Sequence, residues 1–452
     1  MLLTKWSFEV PRLCVRLHFF SQEPPSDDPI GVVDAMADQA DSYLGFVTLR
    51  PIRVCPIAAT ILRPLGKDNS HFINSKDSFD VNLAGQKFVV NGTPFMQQDN
   101  AVGACAQASI WMALRTLRRK DWQSPYSPAQ ITSAATRYNV SHRTLPNRRG
   151  LNIEQISEAL RSSGYAPHVL HIRIPGVSST PESTQKAKRD IYPYIESGLP
   201  VMLGLFPRGE EGHAVVAIGH GWRKNPSQLL LNRQIAIQGQ AATTLDIYDA
   251  ASWVEPFFIH NDNTGPYVPL PEPRIDKYGY ALPDVAFAFP FLQPDVFVDA
   301  EEAKYASLNI LANLMTNFDY RGGTALRVSC LVTRTYLQSR SEFRAWVTRS
   351  TLPDQIKRHY RQKWLPKRIW VTEINEFDNY GQSPEGGSCR IGEILFDPAS
   401  DPEDGAFLAV HLGEQLLPST QSGGVLIDRN AFNGEINGDP VPAAQYSPFI
   451  NT

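Results

Sequence analysis

A single cysteine follows the polar segment Gln97-Gln98-Asp99-Asn100-Ala101-Val102-Gly103-Ala104-Cys105 and opens an apolar run. A histidine comes far downstream in Gly212-His213-Ala214-Val215-Val216, and a polar cluster later still in His260-Asn261-Asp262-Asn263-Thr264-Gly265. Together these residue types can carry out nucleophilic acyl chemistry. A thiol attacks a carbonyl as thiolate, so a base must take its proton. The base needs a polar partner to fix its ring, and N–H donors must receive the oxyanion. Cys105 is the candidate nucleophile and His213 the candidate base. Asn261 or Asp262 would orient the ring, with Asp249 a less favoured competitor. Gln98 would donate to the oxyanion beside the Cys105 N–H, with Gln97 competing for that role. Asn261 and Asp262 are neighbours at a strand end, where successive side chains alternate, so only one is expected to face His213. An aspartate there would also stabilise the imidazolium. Plainer readings stand beside these: free cysteines are often buried apolar residues, a lone histidine is often a satisfied core group, and Asn-Asp-Asn-Thr-Gly is a strong turn signal.

The positioning elements can be read outward from those residues. Cys105 to Leu117 suits a largely buried helix, and the partial positive charge of a helix N-terminus lowers the pKa of a thiol placed there. Ser127-Pro128 and Asn152-Ile153 each begin a helix with a capping residue, and Gly164 stops the second. Val201–Leu205, Ala214–Ile218, Leu245–Tyr248 and Phe257–Ile259 are short apolar runs expected to form one antiparallel sheet. Upstream, Leu13–Phe20, Leu44–Leu49 and Val54–Leu62 are strand-like, with Pro24-Pro25 and Asp27-Asp28-Pro29 as breakers and Ala35–Tyr43 a candidate helix. Lys87–Val90 reads as a strand entering a turn at Asn91-Gly92. A proline-rich stretch from Pro266 to Pro294 separates this region from a helix at Glu301–Phe318, the segment Leu326–Val332, a helical region at Arg344–Trp364, and strands at Arg368–Ile374 and Ile391–Phe396. The last twenty or so residues read as a loose tail.

With 452 residues, 42% of them hydrophobic, the chain can bury two or three ordinary cores at about 150 residues each. A net charge of -3 gives no general attraction to nucleic acid or anionic membrane. Arg115, Arg118, Arg119 and Lys120 form a local basic run that reads as a solvated helix end. Five cysteines, at 14, 55, 105, 330 and 389, are odd in number and widely spaced, which favours free thiols in a reducing compartment. No signal peptide or membrane span is evident, so a cytoplasmic location is expected. HExxH, GxxxxGK[ST] and GxGxxG are absent, and no metal or cofactor is expected.

From Phe95 to Tyr267 the chain resembles the papain-like cysteine peptidases, most closely the branch of bacteriocin-processing, leader-cleaving peptidases. Five pieces in order carry the resemblance: the Gln-Asp-to-Cys105 helix start, Gly150-Leu151 through Gly164, Gly198-Leu199-Pro200-Val201, Gly212-His213-Ala214-Val215-Val216-Ala217-Ile218-Gly219, and Asp262 through Gly265-Pro266-Tyr267. The resemblance implies that Cys105 is the nucleophile, His213 the base, Asn261 or Asp262 the ring-orienting residue and Gln98 the oxyanion donor. The chain departs from the family at Asp99, which stands six residues before the cysteine where the family has its glutamine, and at Asp249, followed by Ala250 rather than proline. The expected architecture is α+β: a papain-like domain at 91–294, a helical layer against an antiparallel sheet, flanked by a β-rich N-terminal domain at 1–90 and an α/β domain at 295–452. The expected activity is cleavage of a peptide or isopeptide bond in a protein or peptide substrate, with no nucleic-acid or membrane partner. The rivals are a transglutaminase-like acyltransferase and a non-catalytic interaction module on the same fold.

Overall fold

The computed structural model describes residues 14–23, 28–51, 55–64, 71–98, 104–120, 123–124, 126–137, 150–208, 211–237, 243–317, 330–350, 352, 354–378, 380, 390–400, 406–412 and 415–418. Asp99, Cys389 and the C-terminal tail lie outside them. The described protein is mixed α+β. It packs as two compact units, one drawn from Met1–Thr184, Gly198–His220 and Pro256–Leu292, the other from Gln185–Ser197, Gly221–Glu255 and Gln293–Thr452. This grouping is not the consecutive division at 1–90, 91–294 and 295–452, because stretches expected in the middle domain group with the C-terminal part. No described helix is long and apolar enough to cross a membrane.

In the first unit, strands Val15–Phe20, Tyr43–Leu49 and Ile61–Leu62 form an antiparallel sheet, and Asp77–Leu83 pairs with Gln86–Gly92 in a hairpin. Phe20, Met36, Tyr43, Phe79, Phe88 and Val90 share one core there. Two sequence expectations are corrected. Asp28-Pro29 does not break the chain; the Asp28 side chain accepts from the Gly31 N–H at 2.8 Å and Pro29 begins helix Pro29–Ala37, upstream of the expected Ala35–Tyr43. Asn91-Gly92 is strand, not turn. The turn is Ala84-Gly85, both left-handed at φ 45° and 89°, and Gly92 is needed because a Cβ would lie 2.4 Å from the Leu62 carbonyl oxygen.

The larger sheet of this unit runs Gly265–Leu270, Val254–Asn261, His213–Trp222, Val201–Leu205, Val285–Leu292 and Ala166–Pro167, with His71–Ile73 pairing to the histidine strand and Leu170–His171 to Val285–Leu292. The stretch from Pro266 to Pro294 is therefore not a separator: it supplies two strands, one of them interior. Helices Cys105–Lys120, Pro128–Ala135 and Ile153–Ser162 belong to the same unit. Ser127 and Asn152 each close a capping box with a glutamine three residues on, and Gly164 ends the third helix at φ 88°. Arg118 is a brace rather than a solvated charge, donating to the Ser163 carbonyl at 2.8 Å and lying over the Tyr126 ring. The side chains of Arg119 and Lys120 lie outside the described residues.

In the second unit, seven strands run Leu231–Ile237, Thr243–Asp249, Cys330–Ser339, Arg368–Glu376, Arg390–Phe396, Phe407–Leu412 and Gln415–Pro418. Leu245–Tyr248 thus belongs here, where Thr243–Asp249 pairs in parallel with Cys330–Ser339, and not to the sheet of the histidine strand. The expected helical region Arg344–Trp364 is two helices, Arg340–Arg349 and Asp354–Gln362. Their Phe343, Val347, Ile356 and Tyr360 pack on Tyr336, Val371, Leu395 and Ala409 of the sheet. Two residues along the same face, Arg334, Glu373, Glu393 and His411 stand opposite one another across four strands. Arg334 grips Glu373 with two bonds of 2.7 and 2.8 Å and reaches Glu196 at 3.0 Å, while Arg390 bonds Glu373 at 2.6 Å and Glu393 at 3.1 Å. All of these groups are buried.

Candidate active site

Cys105 is the first residue of its helix and half-buried. At that position its N–H has no intrahelical carbonyl to donate to, and its thiol meets the positive end of the helix dipole. One turn on, Ser109 donates to the Ala214 carbonyl at 3.1 Å, which fixes the helix against the residue next to His213. His213 begins its strand opposite Leu205. The preceding Gly212 lets the backbone pass Phe206, since a Cβ there would fall 2.5 Å from the ring. So placed, the His213 ring lies near enough to the Cys105 side chain for the two to interact.

The other edge of the ring is held. His213 Nε2 lies 3.0 Å from Asn261 Oδ1, and the same oxygen accepts from the Asn263 backbone N–H at 3.0 Å. A backbone N–H can only donate, so that atom of Asn261 is oxygen, and Nε2 must carry the proton. Nδ1 is then the nitrogen left to take the thiol proton. Asp262 Oδ1 lies 3.3 Å from the same Nε2, a charge contact without an aligned hydrogen bond. The expectation that only one of the pair faces His213 is thus corrected. The strand register shifts between Ile259 and Asn261, and Asp262 falls in the turn, so the alternation lapses where it was invoked.

Burial pushes the His213 imidazole down, but the neighbouring Asp262 and Cys105 side chains outweigh it and raise the group to about 10. Tyr280 stacks on the ring at 5.3 Å and 19°. Nothing in the spacing of the sequence singled out Tyr280. His260, next to the pair, is the plain core histidine: burial lowers it to about 3, and its ring sits edge-on to Phe95 and Tyr267. Asp249 is engaged elsewhere, capping Ala251 at 2.9 Å and pairing with Lys304 at 2.5 Å.

The two glutamines separate cleanly. Gln97 Oε1 accepts from the Ile57 N–H at 3.2 Å, which commits it to the neighbouring strand segment. Gln98 Oε1 accepts from the Ala104 N–H at 3.2 Å, one residue before the thiol, and its Nε2 donates to Asn263 Oδ1 at 3.0 Å. One Nε2 hydrogen remains beyond that bond. Among the described residues, no group of three or more His, Cys, Asp or Glu side chains is gathered as a metal site. Cys105, His213, Asn261, Asp262 and Gln98 are therefore brought together, while Gln97 and Asp249 are not. No family model, no curated protein and no solved structure matches the chain.

Proposed function

We propose that the protein is a thiol-dependent hydrolase of papain-like design, a cysteine peptidase that cleaves a peptide or isopeptide bond in a protein or peptide substrate. The observation that carries this reading is the fixed ring of His213, with Nε2 tied to Asn261 and the ring near enough to Cys105 for the two side chains to interact. A helix that opens on the thiol, bonded to the strand that opens on the histidine, supports the papain-like assignment. In the reaction, the Cys105 proton passes to His213 Nδ1 and the thiolate adds to the carbonyl carbon. The Cys105 N–H and Gln98 Nε2 receive the oxyanion. The C–N bond then breaks as the imidazolium returns its proton to the leaving amine. Water, deprotonated by His213, adds to the thioester and releases the acid and the free thiol. A nucleophile that works only when reduced, in a chain with an odd number of cysteines, fits the cytoplasm.

The test is alkylation by iodoacetamide at neutral pH, read per cysteine by mass spectrometry. Cys105, though half-buried, is expected to react faster than exposed Cys14, and His213→Ala is expected to slow Cys105 by at least about tenfold while leaving Cys14 unchanged. A Cys105 that reacts no faster than Cys14 or Cys330 would sink the proposal.

A further inference from the structure

Asn263 is the first residue after the Asn261-Asp262 pair, and it bonds in two directions. Its backbone N–H donates to Asn261 Oδ1, the oxygen that also holds His213 Nε2. Its side-chain Oδ1 accepts from Gln98 Nε2 at 3.0 Å, across 165 residues of sequence. The identities of these amide atoms fix one another. Gln98 faces the Ala104 N–H with its oxygen, because a backbone N–H must donate, so the end facing Asn263 is the NH2 and the atom receiving it is an oxygen. The bonds run from the residue before the thiol, through Gln98, Asn263 and Asn261, to the imidazole that reaches the thiol. One exposed turn residue therefore joins the candidate oxyanion donor to the group that orients the base.

The geometry points to Asn263 as a positioning residue: its side-chain oxygen holds the Gln98 amide so that the second Nε2 hydrogen is presented to the oxyanion formed at Cys105. This rests on the peptidase reading above. Its physical content is preorganisation. A glutamine side chain has three rotatable bonds, and a donor already clamped at both amide atoms needs no reorganisation when charge develops on the carbonyl oxygen. The ring-holding half of the link uses the Asn263 backbone, so truncating the side chain removes only the half that reaches Gln98.

Two reactions of the same thiol separate the roles. Acylation by p-nitrophenyl acetate passes through an oxyanion: the thiolate adds to the ester carbonyl, and p-nitrophenolate leaves as the carbonyl re-forms. Alkylation by iodoacetamide displaces iodide and forms no oxyanion. In the full chain, Asn263→Ala is expected to slow acylation of Cys105 about fivefold, the scale of one lost hydrogen bond, with alkylation unchanged. Gln98→Ala is expected to slow acylation at least as much, and the double variant no more than Gln98→Ala alone. The inference is overturned by an Asn263→Ala protein that acylates normally, by equal losses in both reactions, or by losses that multiply in the double variant. A Gln98→Ala protein that acylates like wild type removes the donor and Asn263's role with it. Failure of the parent reading looks different: the wild-type Cys105 would then alkylate no faster than Cys14, whatever stands at position 263.

Discussion

Asn261 and Asp262 touch the same nitrogen of His213 and do different things to it. Asn261 offers an aligned acceptor and sets the tautomer, whereas Asp262 contributes charge that favours the protonated ring. Replacing each tests the division. Asn261→Ala removes the acceptor that keeps Nδ1 free, and is expected to slow Cys105 alkylation across the whole pH range. Asp262→Asn keeps the shape and loses the charge, so the imidazolium beside the thiol is less favoured. That variant is expected to alkylate more slowly than wild type at about pH 6, with the gap closing toward pH 10, where wild-type His213 is itself losing its proton. Rate profiles of equal shape for the two variants would refute the division. The order Gln, Cys, His, Asn-Asp made these residues legible as a set. Tyr280 and Asn263 were not legible, because stacking on a ring and bridging two amides depend on which loops meet, and neither leaves a spacing in the chain.

Elements whose ends carry their own chemistry were the readable ones. Ser127 and Asn152, each with a glutamine at the third helical position, marked two helix starts that the structure keeps, and the apolar run after Cys105 marked a third. Elements that run against propensity were missed. Helix Pro181–Glu196 carries Pro193 inside it, and strand Val285–Leu292 pairs Pro290 with Val201 in the interior of the sheet. Asn91-Gly92 misled for a related reason: its glycine answers a close approach between strands, not a turn. The histidine strand has the same feature at Gly219, where a Cβ would lie 2.1 Å from the backbone oxygen of Phe72. Gly219→Ala is expected to push strand His71–Ile73 off its partner at a cost of about 1–3 kcal/mol. Urea unfolding should then show a lower midpoint at unchanged slope. A variant within about 0.5 kcal/mol of wild type would mean that the contact yields freely.

At the scale of the whole molecule, charge is buried in both units, and the two burials respond to pH in opposite senses. Strand register and hydrogen bonds set Arg334, Glu373, Arg390 and Glu393 against one another inside the second unit. Burial pushes Glu393 up, but His411 and Arg390 outweigh it and hold the carboxyl at about 2, and Arg334 and Arg390 likewise hold Glu373 down against its burial. A carboxyl with a lowered folded pKa stabilises the fold above its unfolded value of 4.5, and that contribution disappears as pH falls toward 2. His213, in the first unit, is raised. Its contribution is complete below 6.5 and disappears as pH rises through about 10. Stability is therefore expected to be greatest between those limits and to decline on both sides. The two limbs can be removed separately, because Glu393→Gln should flatten the acid limb of a plot of Tm against pH and Asp262→Asn the alkaline one. Since Glu393→Gln also leaves part of a buried ion network unpaired, it should lower Tm near neutrality, by about 3–5 kcal/mol of stability. If Glu393→Gln changed the alkaline limb, or Asp262→Asn the acid limb, the assignment of each limb to its own charge cluster would fail.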